Sequence, residues 1–283
     1  MTGCGPHSDT TMGAVERESR LVIGRQSLAV RVRPGTGDGP PLVLMNGIGA
    51  AMDVLNPFVE ALDPQIEVVR FDAPGVGGSP SPAVPGRYCS IARLLGRALD
   101  LLGYEQVDAL GISWGGGLAQ QFAFQNPRRC RRLVLTATAT GSVMVPGSPR
   151  VLTKMLTPRR HSDPAYARRI AGSIYGGSLR HDTTAVPLIA DPEKARRGST
   201  ARGYVYQLLS AAGWTSLPFL PLIGQRTLIL AGDDDPIVPL VNAKIMTRLM
   251  RDVRLEIYPD GHLGLLVRAP ELADTVARFL REP

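Results

Sequence analysis

Ser113 stands in Gly111-Ile112-Ser113-Trp114-Gly115. A serine framed by small residues two positions before and after it is a candidate nucleophile. An alkyl hydroxyl attacks poorly unless a neighbouring base takes its proton. The chain offers 4 histidines. His7 lies near the N-terminus, and His161 and His181 fall in a Pro-, Gly- and Arg-rich stretch. His262 follows an apolar run late in the chain, in Pro259-Asp260-Gly261-His262-Leu263, and is the expected general base. Such a base needs a carboxylate to fix its tautomer and to stabilise the imidazolium. The segment Ala231-Gly232-Asp233-Asp234-Asp235-Pro236-Ile237-Val238-Pro239 supplies the candidates. Asp235 is the expected acid because it directly precedes the Pro-Ile-Val-Pro bend. Asp233 and Asp234 read as turn formers and N–H acceptors. The same run suits Ca²⁺ or Mg²⁺ in principle, but no EF-hand spacing follows it. Acyl transfer also needs two backbone N–H groups aimed at a tetrahedral oxyanion. Trp114 is expected to supply one, and Ile48 in Asn46-Gly47-Ile48-Gly49 the other.

These residues do chemistry only if the chain brings them together, and the hydrophobic pattern says how. Leu42–Met45, Val68–Phe71, Val107–Ile112, Leu133–Ala137, Thr227–Ala231 and Arg254–Tyr258 are short apolar runs that read as buried strands. Helical spacing lies between them, at Val54, Leu55, Phe58, Val59 and Leu62, from Ser90 to Leu102, from Leu118 to Gln125, and from Leu240 to Met250. Ser90 reads as a helix cap and Gly103 as a stop. Pro270 opens a last helix with Leu272, Val276, Phe279 and Leu280 on one face. Strands alternating with helices predict a mostly parallel sheet covered by helices on both faces. Ser113 falls where a strand ends and a helix begins, as a nucleophile on a sharp turn must. A plain Gly-rich turn would look similar in isolation.

The alternation breaks between residues 141 and 225. That stretch carries only short helical patches, at Ala165–Ile174 and Tyr204–Ala212. It is expected to be an inserted helical lid, with residues 20–140 and 226–283 forming the core and residues 1–19 a disordered leader. Val143, Met144, Leu209 and Trp214 are the expected substrate-binding residues of the lid. Val145, Ile174, Tyr175, Leu188 and Leu208 are further candidates, and the Gly176-Gly177 pair is expected to give it local freedom.

Composition excludes several classes. The chain has 283 residues, enough for one large α/β domain with an insertion, and only 5% aromatic content, so Leu, Val, Ile and Ala build the core. The net charge of +7 comes largely from scattered Arg without an aromatic RNA-binding signature, so no nucleic-acid partner is expected. Arg128, Arg129, Arg131 and Arg132 follow a helix C-terminus, where cations are favoured; docking to an anionic surface is the other reading. Cys4, Cys89 and Cys130 form no Cys-x-x-Cys pair, which argues for a reducing compartment. No apolar leader or spanning run occurs, so a cytosolic location is expected. Scattered histidines and the lack of a phosphate-binding glycine fingerprint predict no metal and no cofactor.

The sequence resembles the α/β-hydrolase superfamily over residues 20–283, in which the chain order Ser, Asp, His is the usual one. Within it, Met45–Gly49, Phe71–Ser79, Gly111–Gly116 and Asp260–Leu263 resemble the intracellular depolymerases of medium-chain-length poly(3-hydroxyalkanoate). Gln120-Gln121-Phe122 and Val143–Gly147 add to that likeness. The resemblance implies hydrolysis of a hydrophobic ester or polyester by a metal-free Ser-His-Asp site, with a polymer granule surface as a partner. Many α/β-hydrolases carry His-Gly where this chain has Asn46-Gly47; the departure fits the depolymerase group. The same scaffold also supports small-ester, thioester and carbon–carbon bond hydrolysis. A binding module on this fold would be expected to lose triad members, and all three are present.

Overall fold

A computed structural model describes residues 16–156, 159–184, 186–188 and 200–283. Two strands, β1 (Arg17–Ile23) and β2 (Gln26–Arg33), form a hairpin. β3 (Leu42–Met45) follows, then a 3₁₀ turn at Met52–Leu55, α1 (Asn56–Ala61) and β4 (Val68–Phe71). Next come α2 (Tyr88–Leu102), β5 (Val107–Ile112), α3 (Trp114–Gln125) and β6 (Cys130–Thr136). The inserted stretch holds α4 (Pro149–Met155), α5 (Arg159–Ser162), α6 (Pro164–Tyr175) and α7 (Ala201–Ala211). β7 (Arg226–Gly232), α8 (Val241–Leu249), β8 (Val253–Tyr258), α9 (Gly264–Val267) and α10 (Ala269–Arg281) complete the chain.

The strands form one eight-stranded sheet in the order β1-β2-β4-β3-β5-β6-β7-β8. β1 and β2 run antiparallel at one edge, and β3 through β8 are mutually parallel. Strand alternation divides the core between the two faces. Leu42 and Leu44 face a cluster that holds α1, α6 and α10, whereas Val43 and Met45 face one that holds α2, α3 and α8. Because both faces are covered, the central strands are mostly apolar, interrupted by the buried Arg70 of β4 and Asp108 of β5, which is why they were readable as short runs. No helix among the described residues is long and apolar enough to cross a membrane.

Several local expectations need correction. Arg17, Glu18 and Ser19 are not part of a loose leader: they pair with Val32, Arg31 and Val30 in the edge hairpin. Residues 1–15 lie outside the described residues. The hairpin escaped the sequence reading because β1 is an edge strand whose exposed first half, Arg17–Arg20, is polar, leaving only the short run Leu21-Val22-Ile23. Ser90 is not the cap of α2. It occupies the third position of the helix, and its Oγ accepts the Arg87 N–H at 2.9 Å. The arginines after α3 have structural partners. Arg129 bonds the Gly96 carbonyl and Asp100, Arg131 forks onto Asp108 at 2.9 and 2.5 Å, and Arg132 reaches the Leu280 and Glu282 carbonyls. These three therefore have partners within the fold.

Candidate active site

Ser113 joins β5 to α3 with φ 54° and ψ −117°, one of two non-glycine residues with positive φ among those described. Backbone bonds on both sides hold this strained conformation. The Ser113 N–H donates to the Thr136 carbonyl at 3.0 Å, and the Ser113 carbonyl accepts the Gly116 N–H at 2.9 Å and the Thr138 hydroxyl at 2.8 Å. Gly115 is required by close approach: a Cβ there would stand 2.0 Å from the Met45 carbonyl oxygen. The turn thus wedges α3 against the end of β3, and the β3 loop passes beside the serine. A Cβ on Gly47 would be 3.7 Å from Ser113 Cβ.

That loop is pinned so that Ile48 presents its backbone. The Gly47 N–H donates to Asn46 Oδ1 at 2.8 Å, the Gly49 N–H to Gln207 Oε1 at 2.7 Å, and the Ala50 N–H to the Gly47 carbonyl at 3.2 Å. Asn46 Nδ2 in turn donates to the Ala51 carbonyl at 2.7 Å. Three of the loop's four consecutive N–H groups are therefore committed, and that of Ile48 has no partner among the described residues. Asp72 anchors the loop from behind, accepting N–H groups from Met52 and Gly78. Burial pushes its carboxyl up to about 6 against those two bonds.

His262 is 4% exposed, and its Nδ1 lies 2.7 Å from Asp235 Oδ2. Asp235 is 6% exposed, and its other oxygen accepts the N–H groups of Ile237 and Val238, each at 2.9 Å. The Pro236 bend therefore delivers two backbone donors to the carboxylate and leaves one oxygen for the imidazole. Asp233 and Asp234 take other roles. The Asp233 N–H bonds the Tyr258 carbonyl, and Asp234 pairs with Arg180, whose guanidinium holds the Asp234 carboxyl below its usual range.

Ser113, His262, Ile48, Asn46 and Gly47 line one cavity of about 50 Å³. Its apolar wall consists of Ala50, Val54, Leu55, Ile112, Leu263 and Leu266 from the core, with Met155 and Tyr175 from the inserted stretch. Arg160, 2% exposed, also reaches this wall and donates to the Tyr204 hydroxyl at 2.8 Å. Trp114 shows its indole to a separate apolar groove with Ala73, Pro74, Ile91 and Tyr206. Its Nε1 donates to the Gln207 carbonyl and to Ser210 Oγ.

The four expected substrate-binding residues are not in the cavity wall. Val143 is 55% and Leu209 49% exposed, and Met144 lies in the same exposed loop as Val143. Trp214 packs on Tyr88 with centroids 4.7 Å apart and donates to Gln121 Oε1 at 2.7 Å. Of the further candidates, Tyr175 does reach the cavity, Ile174 is buried in the core cluster, and Val145 is exposed. The side chain of Leu188 lies outside the described residues. The error has a physical cause. Apolar residues in an irregular stretch can face the core, the solvent or the cavity, and no period in the sequence distinguishes them. Gln207, Thr138, Arg160 and Met155 were missed for the same reason, since none sits in a local motif.

A serine on a strained turn, a histidine in the same cavity wall backed by a buried carboxylate, and an uncommitted N–H beside them form an arrangement suited to acyl transfer. A family model for the alpha/beta hydrolase fold matches residues 40–269. The chain belongs to that family. It is 47% identical over 260 residues to the poly(3-hydroxyalkanoate) depolymerase of Ectopseudomonas oleovorans, covering 92% of this chain and 91% of the relative. It is 29% identical over 274 residues to a 2-hydroxymuconate semialdehyde hydrolase of Pseudomonas putida, covering 92% and 95% of the two chains. Among solved structures, a hydrolase from Pseudomonas aeruginosa PA01 superposes with a TM-score of 0.78 at 22% identity, covering 94% of this chain and 98% of that one.

Proposed function

We propose that this protein is a serine hydrolase that cleaves carboxylic esters through an acyl-enzyme on Ser113, with poly(3-hydroxyalkanoate) or related medium-chain hydroxyacyl esters as substrate. The observation that carries the reading is that His262, 2.7 Å from Asp235 through its Nδ1, lines the same cavity as Ser113. His262 takes the Ser113 proton as Oγ attacks the ester carbonyl, and the N–H groups of Trp114 and Ile48 receive the oxyanion. Collapse of the tetrahedral intermediate expels the alcohol, which takes the proton from His262. Water, deprotonated by the same imidazole, then releases the acid and restores the serine. Asp235 orients the imidazole and stabilises the imidazolium.

The substrate class is supported by the 47% identity to a named depolymerase and by the apolar cavity wall. A cavity of about 50 Å³ is far below the roughly 300–1,000 Å³ of sites for drug-sized ligands. The described helices of the insertion that carry Met155 and Tyr175 accordingly act as a lid that shifts to admit a medium-length chain. We assign the protein to the cytoplasm and its working partner to a polymer granule surface. The relative that hydrolyses a muconate semialdehyde supports a second reading, carbon–carbon bond hydrolysis on the same site. Product analysis decides: release of 3-hydroxyoctanoate from its polymer supports the ester reading. Turnover of a ring-fission product with no action on polymer or on C4 to C8 aryl esters would overturn it.

A further inference from the structure

Tyr175–Arg180, the end of α6 and the turn after it, grips both loops that carry the acid and the base. The grip begins at the base itself, whose backbone N–H donates to the Tyr175 carbonyl at 2.7 Å. Two residues before His262 stands Asp260, a carboxylate only 4% exposed. Its Oδ1 accepts the Gly261 N–H at 2.7 Å and the Ser178 N–H at 3.1 Å, and its Oδ2 accepts the Ser178 hydroxyl at 3.0 Å. One residue before Asp235 stands Asp234, whose Oδ2 accepts the Gly177 N–H at 2.8 Å and the Arg180 Nε–H at 2.5 Å. The two loops are also tied to each other, since the Asp234 N–H donates to the Asp260 carbonyl at 3.2 Å. Gly177 has φ 54°, and a Cβ on it would meet Asp260 Oδ1 at 2.0 Å. The glycine pair is therefore a site of close approach, and the freedom expected of it from sequence is absent.

We propose that Asp260, with Ser178 as its partner, is a positioning residue that sets the His262 imidazole against Ser113, so that the inserted stretch builds the catalytic constellation as well as covering it. The proposal rests on the triad reading above. Asp260 touches no reacting atom, and it acts by fixing the backbone two residues from the base. Loss of such a hold lets the imidazole move by a fraction of an ångström to an ångström, and displacement on that scale costs about 100-fold in rate.

The test uses the full chain and two readouts: turnover of p-nitrophenyl octanoate, and the rate at which a small fluorophosphonate labels Ser113. Asp260→Ala is expected to lower kcat and the labelling rate by about 100-fold with KM within about threefold, while the protein stays folded by circular dichroism. Asp260→Asn keeps an oxygen for the two N–H groups and offers an amide N–H to the Ser178 hydroxyl, so it is expected to hold kcat within about fivefold. Ser178→Ala leaves one carboxylate oxygen without its partner and is expected to lower both rates by about tenfold. If Asp260→Ala does not fold, Ser178→Ala decides. Full activity of either folded alanine variant, an asparagine variant as damaged as the alanine one, or a loss confined to KM would overturn the proposal. Failure of the triad reading looks different: Ser113 in the unaltered protein would resist the fluorophosphonate, or Ser113→Ala would keep turning over ester.

Discussion

Ser113 is held by atoms of the sheet that carries it, whereas the wall facing it is assembled from helices far apart in the chain. On the first side, β3, β5 and β6 meet at the serine turn, and the Met45, Thr136 and Thr138 contacts lie where parallel strands end together. On the second side, Met155 ends α4, Arg160 sits in α5 and Tyr175 ends α6, while Gln207 of α7 holds the Gly49 N–H of the loop beside them. Parallel strands in register deliver their loops to one edge as a consequence of topology. Helices in an insertion have no such rule and must be placed by individual contacts. The difference predicts steep effects on the sheet side and graded ones on the facing wall.

The steepest is expected at the nucleophile. Ser113→Ala removes the attacking oxygen and should lower kcat by about 10⁶-fold, with unfolding by urea unchanged. An aryl ester assay with the variant purified free of contaminating esterase checks this, and a variant retaining a tenth of the activity would sink the mechanism. Asp235→Asn comes next. The amide cannot hold the imidazole in the required tautomer, and kcat should fall by about 10⁴-fold.

How much of this was legible follows from the same division. The strands at 42–45, 68–71 and 107–112 were read to the residue, because a strand buried on both faces is mostly apolar, broken here only by Arg70 and Asp108. Asp235, rather than Asp233 or Asp234, was read from the Pro236 bend, and the structure puts that carboxylate against the imidazole. The edge hairpin was not legible, because solvent contact leaves β1 polar along Arg17–Arg20 and shortens its apolar run to Leu21-Val22-Ile23. On the insertion side, the cavity wall was legible only at Tyr175. Val143, Leu209 and Trp214 are as apolar as Met155, and what separates them is the packing of α4, α6 and α7, which no local spacing encodes.

The cavity wall supplies the third prediction, of intermediate size. Met155 faces Ser113 from the insertion, so its side chain is placed to contact an acyl chain. Each methylene buried contributes about 0.8 kcal/mol, and kcat/KM is expected to rise several-fold from C4 to C8 aryl esters. Met155→Ala should flatten that rise while leaving the C4 ester within about threefold. Leu209→Ala, on the exposed face of α7, should leave the chain-length profile unchanged. The reverse pattern would restore Leu209 to the substrate site and remove Met155 from it.

The smallest effect is expected at Asp234, next door to the acid and yet on the other side of the comparison. Its partner is Arg180 of the insertion, and both side chains are more than two-fifths exposed, at 45% and 42%. An exposed pair of this kind contributes about 0–1 kcal/mol. Asp234→Asn keeps an oxygen for the Gly177 N–H, so kcat should stay within about threefold and stability should fall by about 1 kcal/mol or less at pH 7. The sign of the pH dependence follows from the depressed carboxyl. A folded-state value below the unfolded one, about 3.9, means that the charged form contributes stability above that pH. The contribution is lost as pH falls through the folded-state value, so the difference between parent and variant should shrink in acid. Urea unfolding of both proteins at pH 7 and near pH 3 measures it. A gap that persists in acid would assign the effect to packing of the turn rather than to charge. A variant as damaged as Asp235→Asn would move the orienting role to Asp234 and erase the contrast between the two neighbours.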